Sequence, residues 1–340
     1  MNTTGTATWR SGPTFALTPE EQVRHVVTAA TLAPSVHNTQ PWRFVTHDDG
    51  LDLYADDSRR LAVLDPTGRQ VRLSCGAALV HCRIAARGLG LAVDVELQPD
   101  PRVPDLLARL RLRPGPAASE AEVDLATAML HRHTYRGVFE DRPVPDALVD
   151  QLRALAEAEG AMLRPVTSAG DLVELEVLLA RADATEQRNA DYRAELGAWV
   201  GRASASSDGV PEQALPAAGT TRGSSVTLRD FRVGDPPTAP GGTADPPVAE
   251  RPLVVLLSTI GDDVKAWLHA GQAMGAVLLH AASAGVLAQP LGQVTDLPGT
   301  RARLGVALGL VGVPQLVLRM GYADQHATTP RRSVEDVVRT

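Results

Sequence analysis

The chain has 340 residues, 44% of them hydrophobic, and a formal net charge of −7. That length exceeds what one small core needs, so two lobes or one large intertwined unit is expected. The acidic balance excludes the basic face of a nucleic-acid binder. No run of eighteen apolar residues occurs and residues 1–13 hold no apolar signal core, which excludes a membrane span and points to the cytoplasm.

Residues 1–17 read as disordered. Thr18, Pro19, Glu20 and Glu21 then form a helix start: an N-cap hydroxyl, proline in the first turn, and acids that favour the helix dipole. This helix is predicted to run to about Leu32. The run from Ala33 to Trp42 carries Pro34 and Pro41, which bias Ala33 and Gln40 away from helix. Ser35, His37, Asn38, Thr39 and Gln40 make it a restricted loop dense in hydrogen-bonding groups, suited to a polar, planar ligand. Trp42–His47 and Leu51–Ala55 read as a strand pair around Asp48, Asp49 and Gly50. Ser74–Gly90 reads as an alanine-rich helix, with strands at Leu91–Leu97 and about Ala108–Leu112. Cys75 and Cys82 share one face of that helix. They read as buried free thiols, too far apart to bridge and too few for a metal, consistent with a reducing compartment.

Helices are predicted at Ala121–His131, Asp146–Glu159, Asp171–Leu196 and Trp267–Ala284, and strands at Leu253–Ser258 and Gln315–Met320. Between the first two helices, Arg132, Thr134 and Arg136 fall at alternate positions. In an extended segment they point one way, as a phosphate cradle of two guanidiniums and a hydroxyl, although this segment taken alone reads as an exposed basic turn. Residues 197–252 shift to Gly, Pro, Ser, Thr and Asp, the composition of a lid or linker, with Leu228, Arg229 and Phe231 as anchors. Gln289–Gln293 and Gly321–Val338 add a Pro–Gly loop and a tail carrying Arg331 and Arg332. The residues from Gly76 resemble those from Gly271, an internal repeat of two small-residue helices, each followed by an Arg–Leu pair (Arg109–Leu110, Arg303–Leu304) expected in a strand. His37, His131 and His133 read as bonded to backbone or facing water.

These segments together resemble the nitroreductase family, in particular its Acg-type branch. Pro34, Ser35, Asn38, Gln40, Pro41 and Trp42 match that family's PSxxNxQPW loop. Arg132, Thr134 and Arg136 resemble its RxSxR segment, with threonine for serine. Gly285–Val286 through Pro290, Leu291 and Gly292 resemble the loop whose backbone lies near the flavin, and Gly321–Tyr322 with Arg331–Arg332 resemble its C-terminal end. The resemblance implies an α+β nitroreductase fold, with mixed or antiparallel sheets packed by helices. It implies two pseudo-repeated halves, 18–120 and 121–340, forming a single-chain pseudo-dimer, with 197–252 as an insertion. One FMN site is implied, because each half keeps one contribution. FMN would lie with its phosphate against Arg132, Arg136 and Arg331 or Arg332, and with Ser35, Asn38 and Gln40 along the ribityl chain and ring. No catalytic side chain is expected, since the flavin carries the chemistry. No GxGxxG follows a predicted strand, so NAD(P)H would visit the flavin transiently. The implied activity is two-electron reduction of a small nitro- or quinone-like acceptor by a protein monomeric in solution. Two alternatives stand beside it: a flavin-sequestering protein with an occluded site, and a specialised flavin dehydrogenase of a biosynthetic pathway.

Overall fold

The computed structural model describes residues 17–202, 206–215, 226–229, 231, 250–324 and 328–339. The unstructured start expected over 1–17 lies outside the described residues except for Leu17, as does most of the stretch expected to form a lid. The first part of the chain builds α1 (Pro19–Thr31), β1 (Trp42–His47), β2 (Gly50–Ala55), α2 (Arg69–Gly88), β3 (Leu91–Leu97) and β4 (Leu106–Pro114). The rest builds α3 (Glu120–His131), α4 (Asp146–Ala158), β5 (Met162–Pro165), α5 (Ala169–Arg188), α6 (Ala190–Trp199), β6 (Val200–Arg202), β7 (Val210–Pro211) and β8 (Leu253–Thr259). It continues with α7 (Val264–Ser283), β9 (Leu287–Pro290), α8 (Gln293–Asp296), α9 (Pro298–Ala307), β10 (Val313–Gly321), α10 (Val334–Val337) and β11 (Val338–Arg339). Among the described residues no helix is long and apolar enough to cross a membrane.

Two sheets flank a helical centre. One has the order β11-β1-β2-β4-β3 and is antiparallel except where β11 lies parallel to β1, Phe44 opposite Val338. The other, β5-β8-β10-β9, is antiparallel throughout. The parallel pairing of β11 returns the end of the chain to the sheet built by its beginning, and an Arg24–Glu335 ion pair joins α1 to α10 there. Capping boxes at Thr18–Glu21 and Ser119–Glu122 start α1 and α3, each satisfying two backbone donors that the first turn leaves free.

The centre is the crossing of α2 and α7, both buried along most of their length. α7 is apolar on nearly all sides, as a core helix is, whereas α2 is buried together with polar side chains such as Arg69, Gln70, Arg72 and His81. A Cβ at Gly76 would overlap the carbonyl oxygen of Leu268, and one at Gly271 would overlap that of Leu73. Leu73 precedes Gly76 by the same three positions that Leu268 precedes Gly271. The contact is therefore reciprocal, as at the two-fold interface of a homodimer. The repeat seen in the sequence thus corresponds to a real equivalence, at the residues where the two copies touch.

Three expectations are corrected. The helix predicted over Asp171–Leu196 is two, because the Asn189 side chain accepts from the amides of Asp191 and Tyr192 and restarts the helix. Arg303–Leu304 lies in α9, started by Pro298 in its first turn, so only Arg109–Leu110 lies in a strand. The tail expected over Gly321–Val338 ends in α10 and a further short strand, β11, so Gln315–Met320 is not the last strand. Cys75 and Cys82 are free and buried, and burial pushes the Cys82 thiol up to about 12.

The crossing yields a paired prediction. Gly271→Ala should lower unfolding free energy by roughly 1–3 kcal/mol, because backbone cannot yield to the added methyl. Gly170→Ala, in a helix with open space around it, should leave stability unchanged or raise it by up to about 1 kcal/mol. Urea unfolding of both variants reads the contrast, and equal effects would show that the crossing tolerates a side chain.

Candidate flavin site

The loop between α1 and β1 is held in a conformation that ordinary residues avoid. His37, Asn38 and Gln40 have φ of 44°, 56° and 50°. Left-handed backbone of this kind persists where surrounding contacts over-determine it. Ser35 Oγ accepts from Gln40 N at 2.9 Å, and Ser74 Oγ on α2 accepts from Val36 N at 3.3 Å. The tail supplies the rest. Arg331 Nη1 donates to Asn38 Oδ1 at 3.1 Å, Asn38 Nδ2 to Pro330 O at 3.0 Å, Arg332 N to Gln40 Oε1 at 2.8 Å, and Arg332 Nη1 to Gln40 O at 3.1 Å. Asn38 Nδ2 also donates to Gly209 O and Gln40 Nε2 to Ser207 O, each at 2.9 Å.

Beside this loop lies a cavity built from both halves of the chain. Pro34, Ser35 and His37 line it from the loop, Gln70 and Ser74 from α2. Thr134, Arg136, Met274, Pro290 and Gly292 line it from the second half, and Arg229 and Phe231 from the inserted stretch. Tyr135 N donates to Ala288 O at 3.0 Å, which docks the 132–136 segment on β9. With Phe231 in place the cavity measures about 90 Å³. A larger trough of about 940 Å³ runs between α1, the end of β1 and α10, but none of the predicted site residues lines it.

Next to the loop, two guanidiniums converge on one carbonyl. Arg132 Nη2 and Arg331 Nη2 donate to Leu32 O at 3.2 and 3.3 Å. Each leaves a buried Nε without a hydrogen-bond partner. Burial pushes Arg132 down to about 9, with the Arg331 charge adding to the effect, and pushes Arg331 and Arg136 down to about 10. No carboxylate among the described residues acts on any of the three. Arginines brought together out of water without a counter-charge form an anion site by their chemistry.

Arg229 is arranged in the opposite way. Its Nη2 donates to Asp296 Oδ2 at 2.8 Å and Glu186 Oε1 at 3.1 Å, and its Nη1 lies 3.3 Å from His37 Nε2. Asp296 Oδ1 also accepts from Gln70 Nε2 at 2.5 Å and Arg69 Nη2 at 3.2 Å. Burial, opposed by the Arg229 charge and reinforced by Asp296, holds the Glu186 carboxyl up at about 7. Burial first, then the charges of Arg229 and Arg136, hold His37 well below its ordinary value, so its neutral Nε2 accepts from Arg229. Phe231 meets the His37 ring edge-on at 5.9 Å, and Arg136 lies 5.3 Å over the Phe231 ring.

The sequence model of the Nitroreductase family matches residues 129–322. Two proteins of Mycobacterium tuberculosis provisionally named as NAD(P)H nitroreductases align with nearly the whole chain. Rv3131 is 34% identical over 94% of this chain and 91% of its own length, and acg 32% identical over 93% and 94%. The chain belongs to the nitroreductase family. Among solved structures, the FMN-dependent nitroreductase NfnB from Mycobacterium smegmatis, in complex with NADPH, aligns with 65% of this chain and 99% of its own at 17% identity and a TM-score of 0.41.

Of the residues that the nitroreductase motifs single out, Pro34, Ser35, Thr134, Arg136, Pro290 and Gly292 meet in the cavity, and Arg132 and Arg331 meet at Leu32 O. The others do not line it. Asn38 and Gln40 give their amides to backbone of 207–209 and 330–332, Arg332 clamps the loop, and Leu291 is buried in the core behind β10. His37 bonds a side chain and lines the cavity, where backbone or water was expected; His131 is exposed, as expected of it. Gln70, Met274, Asp296 and Glu186 were not singled out. Gln70 and Ser74 sit four apart on α2, a spacing visible in the sequence, whereas Glu186 and Asp296 carry no local signal at all.

The Glu186 environment sets a pH dependence. Its folded-state value of about 7 lies above the unfolded value of 4.5, so its stabilising contribution is complete below about pH 4.5 and is lost as pH rises through about 7. Relative to Glu186→Gln, the wild-type protein should lose up to about 3 kcal/mol of unfolding free energy across that window. Denaturant titrations at pH 5 and pH 8 read it, and a constant difference between the two proteins would refute the assignment.

Proposed function

We propose that the chain binds one FMN and uses it to pass electrons from NAD(P)H to a small nitro- or quinone-like acceptor. Membership of the nitroreductase family supports this reading, as do relatives named NAD(P)H nitroreductases. The observation that carries it is the pair of guanidiniums on Leu32 O, each with a buried, unpartnered Nε. Between them a flavin phosphate would gain charge-assisted hydrogen bonds and relieve the repulsion that depresses Arg132. Of the two tail arginines, Arg331 takes that role, because it shares the Leu32 carbonyl with Arg132 and keeps a buried, unpartnered Nε, whereas Arg332 donates to the carbonyls of Gln40 and Asp336.

When bound, the flavin accepts and donates the electron pair; the protein supplies position and polarity. Thr134 and Arg136, docked on β9 through Tyr135, would face it from the second half, and Ser35 from the first. Asn38 and Gln40 act as positioning residues that hold the loop in its left-handed turns. Because each half of the chain contributes a different part, we read a single chain as a complete functional unit with one flavin.

Purified protein should show a flavin spectrum at one FMN per chain. Two FMN per chain would contradict the single site. Arg132→Ala with Arg331→Ala should weaken FMN at least about a hundredfold, since two charge-assisted hydrogen bonds are lost. Riboflavin, which lacks the phosphate, should bind both proteins alike. A double variant with wild-type FMN affinity would sink the phosphate assignment.

A second reading, storage of flavin with little turnover, is favoured by Phe231. Its ring occupies the cavity beside Arg136, and the space left is far below the roughly 300–1,000 Å³ of ligand clefts. A flavin ring entering there displaces it. Anaerobic NADPH should bleach the flavin of the wild-type protein, and Phe231→Ala should bleach faster. A flavin that NADPH bleaches in neither protein would exclude the reductase, and rapid wild-type turnover would exclude storage.

A further inference from the structure

A buried ion pair reaches one of the side chains that line the cavity. Arg319 on β10 stands directly opposite Gln289 on β9, so the two side chains share a face of the sheet. Arg319 Nη2 donates to Glu250 Oε2 at 2.5 Å, and its Nη1 donates to Gly137 O and to Gln289 Oε1, both at 3.1 Å. Glu250 Oε2 also accepts from Phe139 N at 3.0 Å. The pair thus holds the Gln289 amide together with the far end of the segment that carries Thr134 and Arg136. The near end of that segment is pinned by the bond from Tyr135 N to Ala288 O.

A guanidinium carries donors only, so it settles which end of the amide faces it. Gln289 Oε1 is taken by Arg319, and the free end is Nε2 with its N–H donors. Turning the amide over would set donor against donor. Gln289 lines the cavity and is 3% exposed, so little of it reaches bulk water. Nε2 has no hydrogen-bond partner among the described residues. Gln70, which lines the same cavity, is held in the reverse sense, with its Nε2 given to Asp296 Oδ1. A polar amide on a cavity wall is costly unless something answers it. Burying Arg319 and Glu250, 0% and 1% exposed, brings little net stability, because desolvation consumes most of the Coulomb gain. What the pair does bring is a fixed sense for the Gln289 amide.

We propose that Gln289 is a binding residue whose Nε2 donates to a carbonyl oxygen of the flavin ring, with Arg319 and Glu250 as the positioning residues that lock its amide in the donating sense. The proposal rests on the flavin reading above, and it concerns the ring rather than the phosphate. An unlocked glutamine presents either end at little cost, and half of its orientations would set carbonyl against carbonyl. The locked amide accepts a ligand edge that carries a carbonyl and rejects one that offers an N–H at the same place.

Riboflavin, which has the ring without the phosphate, isolates the contact in the full-length protein. In Gln289→Glu the carboxylate still accepts from Arg319 but has no donor to offer, and in Gln289→Met both ends are lost. Both variants should bind riboflavin and FMN about tenfold or more weakly, by the same factor for the two ligands. Infrared spectra of bound riboflavin, isotope-labelled at its ring carbonyls, give a second readout. One carbonyl band should lie lower in the wild-type protein and move up in both variants. Arg319→Met with Glu250→Leu removes the lock and leaves no buried charge behind, and it should broaden that band as the amide samples both senses. Should this double variant fail to fold, the Gln289 variants decide the donor without it. Wild-type riboflavin affinity in both Gln289 variants would overturn the proposal, as would an unmoved carbonyl band. So would a raised KM for a quinone with flavin affinity unchanged, which would give the donor to the electron acceptor instead. A sharp wild-type band in the double variant would overturn the positioning role. A wild-type protein that binds neither riboflavin nor FMN would sink the flavin reading and this contact with it. Wild-type FMN affinity in the Arg132→Ala, Arg331→Ala protein would sink the phosphate assignment alone.

Discussion

Everything in this molecule is arranged around the contact of two glycines. At Gly76 and Gly271 the backbones of α2 and α7 approach more closely than any side chain permits. Removing Cβ costs each helix about 1 kcal/mol of intrinsic propensity, and burial of the two long helices against each other offsets it. The crossing fixes the two sheets on opposite sides of the pair. It also sets the first two turns of α2, with Gln70 and Ser74, across from Met274 on α7, where the cavity opens. A reciprocal crossing would by symmetry generate two equivalent sites. The chain instead places a polar loop on one half and an arginine segment on the other, so a symmetric scaffold carries an asymmetric site.

Buried charge divides into two kinds. Arg229 answers Asp296 and Glu186, and Arg319 answers Glu250 in an ion pair with side chains 0% and 1% exposed. Arg319 Nη1 further donates to Gly137 O and Gln289 Oε1, so this pair ties the return of the inserted stretch to the cavity wall. Such pairs specify an arrangement more than they stabilise it, because desolvation consumes most of the Coulomb gain. Arg132 and Arg331 have no such partner among the described residues, and repel each other. The fold tolerates them because the surrounding hydrogen bonds hold the loop and tail in place regardless. The two kinds differ in whether a carboxylate answers the guanidinium, and neither composition nor spacing reveals which arginine is of which kind.

The elements were largely legible, for local reasons. Thr18 and Ser119 announce their helices by capping chemistry, and the hairpin of β1 and β2 follows from two strand-forming runs on either side of the turn residues Asp48, Asp49 and Gly50. The errors fell where a local cue competes with a longer pattern. Asn189 restarts a helix within a stretch free of Gly and Pro that reads as one, and Pro298 starts one where the repeat implied a strand. Ser35, Thr134 and Arg136 line the cavity, whereas Arg132, read from its alternate spacing as pointing with them, donates to Leu32 O instead, so the expected cradle of two guanidiniums and a hydroxyl is split. Asn38 and Gln40 were legible as important and not as to role. Their amides satisfy backbone on segments about 170 and 290 positions away, which no window of sequence contains.

By itself, the sequence determined most of the longer helices and strands and the pair of similar small-residue helices at the centre. These depend on local propensity, periodicity and motif spacing, all short-range properties of the chain. Only the tertiary structure decided which arginine of the tail joins Arg132, that Phe231 stands in the cavity, and that Glu186 and Asp296 hold Arg229. Those outcomes turn on desolvation and on pairings between distant segments. Their energies exist only once the chain has closed around its crossing glycines and water has left the interior.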